Sequence, residues 1–269
     1  MIPVKRTNSK HLLILIHGLN GSKESWMGHS LSFVDNLIEE DTIKDFFDIS
    51  IFEYHTTISP IRSLRKYANL ITGFIFRRPK EKLKGINVGI NKVGSDFEYE
   101  IREASKRYES ISIIAHSMGG LVTKVAVSKL DSELRQKVKL FVSLSVPHIG
   151  SNLAQFAHRL LGKNPQIRDL QSMGEFVEEL SQRFANLKNL PQIYYQSGSQ
   201  DNVVPPLSAI PSEVKTEFTA RTNDDHFSVL NIQDRNNNTL FRAIVDKLNS
   251  VLQPFRMVDS SIQIERASC

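Results

Sequence analysis

Ser117 stands in Ala115-His116-Ser117-Met118-Gly119-Gly120, where an apolar run meets a helix-like run. A serine at such a corner sits on a tight turn with its hydroxyl held above a sheet edge. Strand and helix backbones pass close together there, so the residues two before and two after must be small. Ala115 and Gly119 satisfy this, giving a G-x-S-x-G nucleophile elbow with Ala in place of the first Gly. A glycine-rich helix start could also carry a serine. The apolar run before Ser117 and the helical pattern after it favour the elbow.

An activated serine needs a base, an acid to orient that base, and an oxyanion hole. Asp201 follows an apolar run in Ser-Gly-Ser-Gln-Asp-Asn-Val-Val-Pro, and His226 follows in Asp-Asp-His-Phe-Ser. Alone, the first reads as a turn former and the second as a solvated loop histidine. Together with Ser117 they complete the chain order Ser, Asp, His. Asp224 and Asp225 lie nearer to His226, but adjacent residues rarely reach the far nitrogen of the ring. Asp201 is therefore preferred, and the pair is read as loop structure or local field. Two backbone N–H groups should form the oxyanion hole. One is Met118, directly after the serine. The other is Leu19, in the glycine-spaced His17-Gly18-Leu19-Asn20-Gly21-Ser22. His17 is read as structural, bonding loop backbone, and His116 as pointing away from Ser117. Asn20 and His148, the latter in Val-Pro-His-Ile-Gly-Ser, are expected to line the substrate pocket.

The elements that must position these residues alternate along the chain. Strand-like runs cover 11–17, 47–54, 110–116, 138–145 and 192–197, with an edge strand expected over 214–219. Helical patterns cover 30–40, 97–108, 119–130 and 238–252, the last with Leu240, Ile244, Val245, Leu248 and Val251 on one face. This alternation predicts an α/β fold, with a mostly parallel central sheet and helices on both faces. A single domain is expected over 1–252, with a basic insertion at 77–94, a helical cap at 151–190 and a tail at 253–269.

Composition narrows the function classes. The chain has 269 residues, 34 Lys+Arg against 29 Asp+Glu, and 40% hydrophobic residues. It is long enough to bury a core without a metal or disulfide staple. The one Cys is the final residue, which rules out an internal disulfide framework. The first ten residues lack a signal-peptide apolar stretch, and no run approaches the length of a membrane span. These features lead us to expect a soluble, cytoplasmic protein. Metal-ligand spacings, phosphate-binding glycine loops and nucleic-acid motifs are absent, so no metal, cofactor or nucleic-acid partner is expected. The net charge of +5 equals that of residues 77–94 alone, where six cations face Glu81. Residues 58–76 carry an amphipathic pattern with a basic shoulder. They read either as a core-packing helix or, with the basic segment, as a contact for an anionic membrane surface.

The motifs together resemble the lipase-like serine esterases of the α/β-hydrolase superfamily. The resemblance is to the branch that includes the GPI inositol-deacylase type and the serine-active-site-containing lipid-remodelling type. The resemblance rests on His17 to Ser22 with Trp26 downstream, Ala-His-Ser-Met-Gly-Gly-Leu-Val-Thr-Lys, Val-Pro-His-Ile-Gly-Ser, Ser-Gly-Ser-Gln-Asp201 and Asp-Asp-His226-Phe. It implies an α/β-hydrolase fold and cofactor-free hydrolysis of carboxylic esters, often of lipids. Ala115 departs from the usual Gly, and 77–94 has no counterpart in the pattern. An acyltransferase on the same scaffold, or a non-catalytic binding module, are the alternative readings.

Overall fold

The computed structural model describes residues 1–19, 21–27, 32–54, 82–150 and 167–267, with the side chains of 82–88, 167–172 and 256–267 left aside. Seven strands form one sheet: β1 (Ile2–Lys5), β2 (His11–Ile16), β3 (Asp48–Phe52), β4 (Ser110–His116), β5 (Val138–Leu144), β6 (Gln192–Gly198) and β7 (Thr219–Thr222). Their spatial order is β1-β3-β2-β4-β5-β6-β7. Only β1 runs antiparallel, against β3.

The inner strands are apolar runs because both of their faces are covered. Successive side chains of β2 go to opposite layers. Leu12, Ile14 and Ile16 pack with Phe97, Ile101, Leu121, Val125, Val177 and Phe184. Leu13 and Leu15 pack with Phe33, Leu37, Phe241, Ile244 and Leu248. The first layer uses α4 (Lys82–Ser105), α5 (Met118–Lys129) and α7 (Ile167–Ala185). The second uses α2 (Phe33–Glu39) and α9 (Thr239–Ala267). Among the described residues, short helices α1 (Glu24–Met27), α3 (Asp41–Lys44), α6 (Ser132–Lys137) and α8 (Pro206–Ala209) complete the α-helices. Ser32 caps α2 by accepting from Asp35 N–H, and Asp131 caps α6 by accepting from Leu134 N–H.

Several boundaries depart from the sequence expectations. Residues 82–94 of the expected basic loop form the first half of α4. Glycines hid this helix, yet a side chain at Gly94 would meet Val125 Cβ at 2.6 Å, so close packing on α5 requires that residue. Residues 77–81 lie outside the described set, as do 58–76. The edge strand is β7, later than 214–219, because Thr216–Phe218 is a 3-10 turn. Ile2–Lys5, for which the sequence reading expected no strand, pairs with β3 through Ile2↔Ile51. The final helix does not stop at 252 but continues through Pro254 to Ala267, and the Phe255 ring packs edge-on against His11 at 4.7 Å. Within the expected cap, α7 buries Met173, Val177, Leu180 and Phe184 in the sheet-covering layer, while 151–166 lie outside the described residues. No described helix is long and apolar enough to cross a membrane.

Chain order places the site. After β2 the chain moves one way to β3, then returns to place β4 on the other side of β2. The loops leaving β2 and β4 therefore diverge at a switch point, where open α/β sheets form a crevice. Those loops carry Gly18–Leu19 and Ser117.

Candidate active site

Ser117 follows the last residue of β4 and precedes α5, with φ 54 and ψ −127. A non-glycine residue at positive φ is strained, and such strain gathers where a side chain must be aimed. The turn is anchored by Ser117 N–H donating to the Leu144 carbonyl at 2.9 Å and Gly120 N–H donating to the Ser117 carbonyl at 3.0 Å. A side chain at Gly119 would strike the His17 carbonyl and lie 2.8 Å from the Ile16 carbonyl, so the end of β2 presses on the helix start. Ala115 is buried between partners Ile16 and Ser143, and its methyl joins the core.

His226, in the loop after β7, reaches Ser117. Its Nε2 lies 2.9 Å from Ser117 Oγ, and its Nδ1 lies 2.9 Å from Asp201 Oδ2. The carboxylate can only accept, so Nδ1 carries the proton and Nε2 is free to receive the serine proton. Asp201 occupies the turn after β6, where its Oδ1 accepts from the Val203 and Val204 N–H groups, each at 2.8 Å. Burial pushes this carboxyl upward, but the His226 N–H, the Val204 amide and the Ser145 hydroxyl hold it below the usual value. The acid is thus a fixed carboxylate beneath the imidazole.

The rival acids shape the loop instead. Asp225 Oδ1 accepts from the N–H groups of Phe227 and Ser228 at 2.8 Å, and Asp224 Oδ1 accepts from Ser228 Oγ at 3.2 Å. Gly18 backs onto Ser117: a β-carbon there would sit 2.8 Å from Ser117 Cβ and 3.2 Å from its Oγ. Leu19 and Met118 are both buried beside this junction. His17 bonds loop backbone as expected, through Nδ1 to the Gly18 carbonyl at 2.8 Å.

The two pocket candidates fare differently. Asn20 lies outside the described residues. His148 is buried, with Nε2 2.6 Å from Ser143 Oγ and its ring edge-on to Tyr195 at 4.9 Å. Burial, then the nearby Lys124 charge, drives its pKa well below the usual histidine value. It stands apart from the hydrogen-bonded set around Ser117.

Sequence reasoning missed one neighbour. His116 does not merely point away from Ser117; its Nε2 lies 2.7 Å from the His226 carbonyl and so donates to it. Burial, reinforced by the His226 charge, pushes its pKa down to about 3, so it stays neutral. An ordinary strand residue in the sequence gives no signal of this partner, which arrives from 110 residues downstream.

The strand order, the strained serine between β4 and α5, and the His and Asp on later loops define an α/β-hydrolase. The chain belongs to the serine esterase family described as "Putative serine esterase (DUF676)", whose model matches residues 6–177. A second family model, lecithin:cholesterol acyltransferase, matches residues 92–265. The protein is a carboxylic ester hydrolase of the lipase-like kind. Among solved structures it is similar to the mature lipase BlEst2 of Bacillus licheniformis, with 16% identity, 95% of each chain covered and a TM-score of 0.53. It is also similar to a chain described under "LipS and LipT, two metagenome-derived lipolytic enzymes", with 13% identity, 92% of this chain and 97% of that chain covered, and a TM-score of 0.52. Both are likenesses of fold. No curated protein matches the chain.

Proposed function

We propose that the protein hydrolyses acyl esters, with lipid esters as the favoured class, through Ser117, His226 and Asp201. The observation that carries this reading is the unbroken series from Ser117 Oγ to His226 to Asp201, each link 2.9 Å long. Ser117 Oγ attacks the ester carbonyl carbon while His226 Nε2 takes the hydroxyl proton. The carbonyl electron pair moves onto oxygen, where the N–H groups of Leu19 and Met118 receive it. On collapse, the leaving alkoxide takes the proton from His226 and departs as an alcohol. Water then repeats the attack on the acyl-enzyme, giving the acid and free Ser117. Asp201 holds the tautomer and balances the imidazolium.

The test is p-nitrophenyl esters of increasing chain length beside phospholipids. A burst of p-nitrophenol matching the enzyme concentration supports the acyl-enzyme; no hydrolysis of any ester overturns the reading.

The match to the acyltransferase family favours a second reading, in which an alcohol replaces water in the second half-reaction. Transesterified product in the presence of added alcohol, formed faster than free acid, supports it. The cationic segment 77–94 favours esters presented on an anionic lipid surface. Salt-sensitive flotation with phosphatidylserine vesicles supports that contact, and no binding at low salt rejects it.

A further inference from the structure

The loop leaving β2 is held by two aromatic side chains that the reaction above does not use. Gly18 O accepts twice, from His17 Nδ1 at 2.8 Å and from Gly21 N–H at 3.2 Å. A planar trans peptide points its C=O and N–H in opposite directions. The carbonyl of Gly18 and the N–H of Leu19 belong to one peptide unit. Fixing that carbonyl therefore fixes the direction of the Leu19 N–H, next to a Gly18 that already touches Ser117.

His17 can hold the carbonyl only as one tautomer. A carbonyl accepts, so Nδ1 must carry the proton. Tyr54 N–H donates to Nε2 at 3.3 Å, so that nitrogen must be bare. Tyr54 adds two restraints. Its ring stacks on the imidazole with centroids 4.4 Å apart and 10° between planes. Its hydroxyl donates to the His17 carbonyl at 2.9 Å. Tyr54 follows β3, so a strand on the far side of β2 from Ser117 holds the loop.

We infer that Tyr54 and His17 are positioning residues for the oxyanion hole: Tyr54 sets the tautomer and plane of His17, and His17 sets the peptide that carries the Leu19 N–H. The inference rests on the reading of Leu19 as an oxyanion donor. Without the clamp, peptide 18–19 keeps only the longer bond from Gly21 N–H, and the aim of the Leu19 N–H at the transition state is loosened while substrate binding is kept.

The test compares His17→Ala, His17→Asn, Tyr54→Phe and Ser117→Ala with wild type on one p-nitrophenyl ester. Rates of wild type and the His17 and Tyr54 variants are scaled to sites titrated to completion with a fluorophosphonate, and that of Ser117→Ala to protein concentration. Affinity for an alkyl boronic acid, whose tetrahedral adduct places an anionic oxygen in the same hole, is measured alongside. His17→Ala should lower kcat by about 30-fold or more, with KM within about twofold, as expected for losing one such donor. Boronate affinity should fall in parallel. His17→Asn keeps an N–H in place of Nδ1–H and should recover most of kcat. Tyr54→Phe keeps the stacked ring and the backbone N–H and removes only the hydroxyl bond to the His17 carbonyl; it should lose about three- to tenfold in kcat, again without a KM change. If His17→Ala is too unstable to assay, the Asn and Phe variants carry the same comparison through boronate affinity. Unchanged kcat in the His17 and Tyr54 variants with an inactive Ser117→Ala overturns this inference alone. Equal losses in His17→Asn and His17→Ala, or changes in KM without kcat, also overturn it. A fully active Ser117→Ala overturns the underlying reading instead.

Discussion

The residue before Ser117 holds the backbone of the histidine that reaches Ser117: His116 Nε2–H donates to the His226 backbone carbonyl at 2.7 Å, with the two rings 4.8 Å apart. The strand end thereby fixes both Ser117 and the loop that carries His226. His116→Ala should leave Ser117 in place but free the His226 loop. We expect kcat/KM to fall by about tenfold to a hundredfold, because small displacements of a general base are costly. Stopped-flow acylation with a p-nitrophenyl ester measures it; an unchanged acylation rate would remove the role.

The same histidine predicts acid sensitivity. His116 is held neutral with its pKa near 3, against 6.5 for an ordinary histidine. Between those values the unfolded chain binds a proton that the folded chain refuses. Stability is therefore full above pH 6.5 and declines as pH falls toward 3. Asp201 acts lower: its carboxyl is depressed below 3.8, so its contribution is present above that value and lost as pH falls through the folded one. Urea melts of wild type and His116→Phe across pH 4 to 7 should show a steeper slope in wild type; equal slopes would contradict the assignment.

Lys124 lies in α5 behind the serine, buried, with Nζ 2.9 Å from Ser181 Oγ on α7. Burial pushes its pKa down to about 7, opposed only in part by Glu178. Between pH 10.5 and 7 the unfolded chain takes up the proton first, so stability falls as pH drops through that window. Lys124→Met removes a buried cation of similar volume and should raise stability at pH 7 by about 1–3 kcal/mol. Calorimetry of the two proteins checks this; a lower Tm for the variant would mean that the Ser181 bond outweighs desolvation.

Two glycines should behave unlike Ala115. Gly18→Ala places a methyl against Ser117 and should cut kcat by about a hundredfold with the fold intact. Gly119→Ala drives a methyl into the His17 and Ile16 carbonyls and should cost about 2 kcal/mol or more. Ala115→Gly only loosens a strand whose methyl is accommodated and should cost about 1 kcal/mol. Circular dichroism melts with ester assays separate the three.

The site was largely legible because local chemistry forces it. A strand buried on both faces must read as SISIIAH, and the turn after it must be small on both sides of Ser117. Asp201 and His226 carry no such local signal and are picked out by the chain order Ser, Asp, His alone. What was illegible depends on distant partners. Residues 82–94 look unlike a helix because they carry three glycines, of which Gly94 answers to Val125 on α5 rather than to helix propensity. The weak edge strand β7 is half-exposed and carries no apolar run, so its start was misplaced. The tasks of His116 and Tyr54 are invisible in sequence because their partners arrive from elsewhere in the chain.

The central claim is that Ser117 is the acylated atom's carrier. Incubation with a fluorophosphonate followed by peptide mass spectrometry tests it most directly. The account predicts one adduct per chain, on the peptide bearing Ser117, lost together with ester hydrolysis in Ser117→Ala. An adduct on another residue, or hydrolysis that persists in Ser117→Ala, would contradict it.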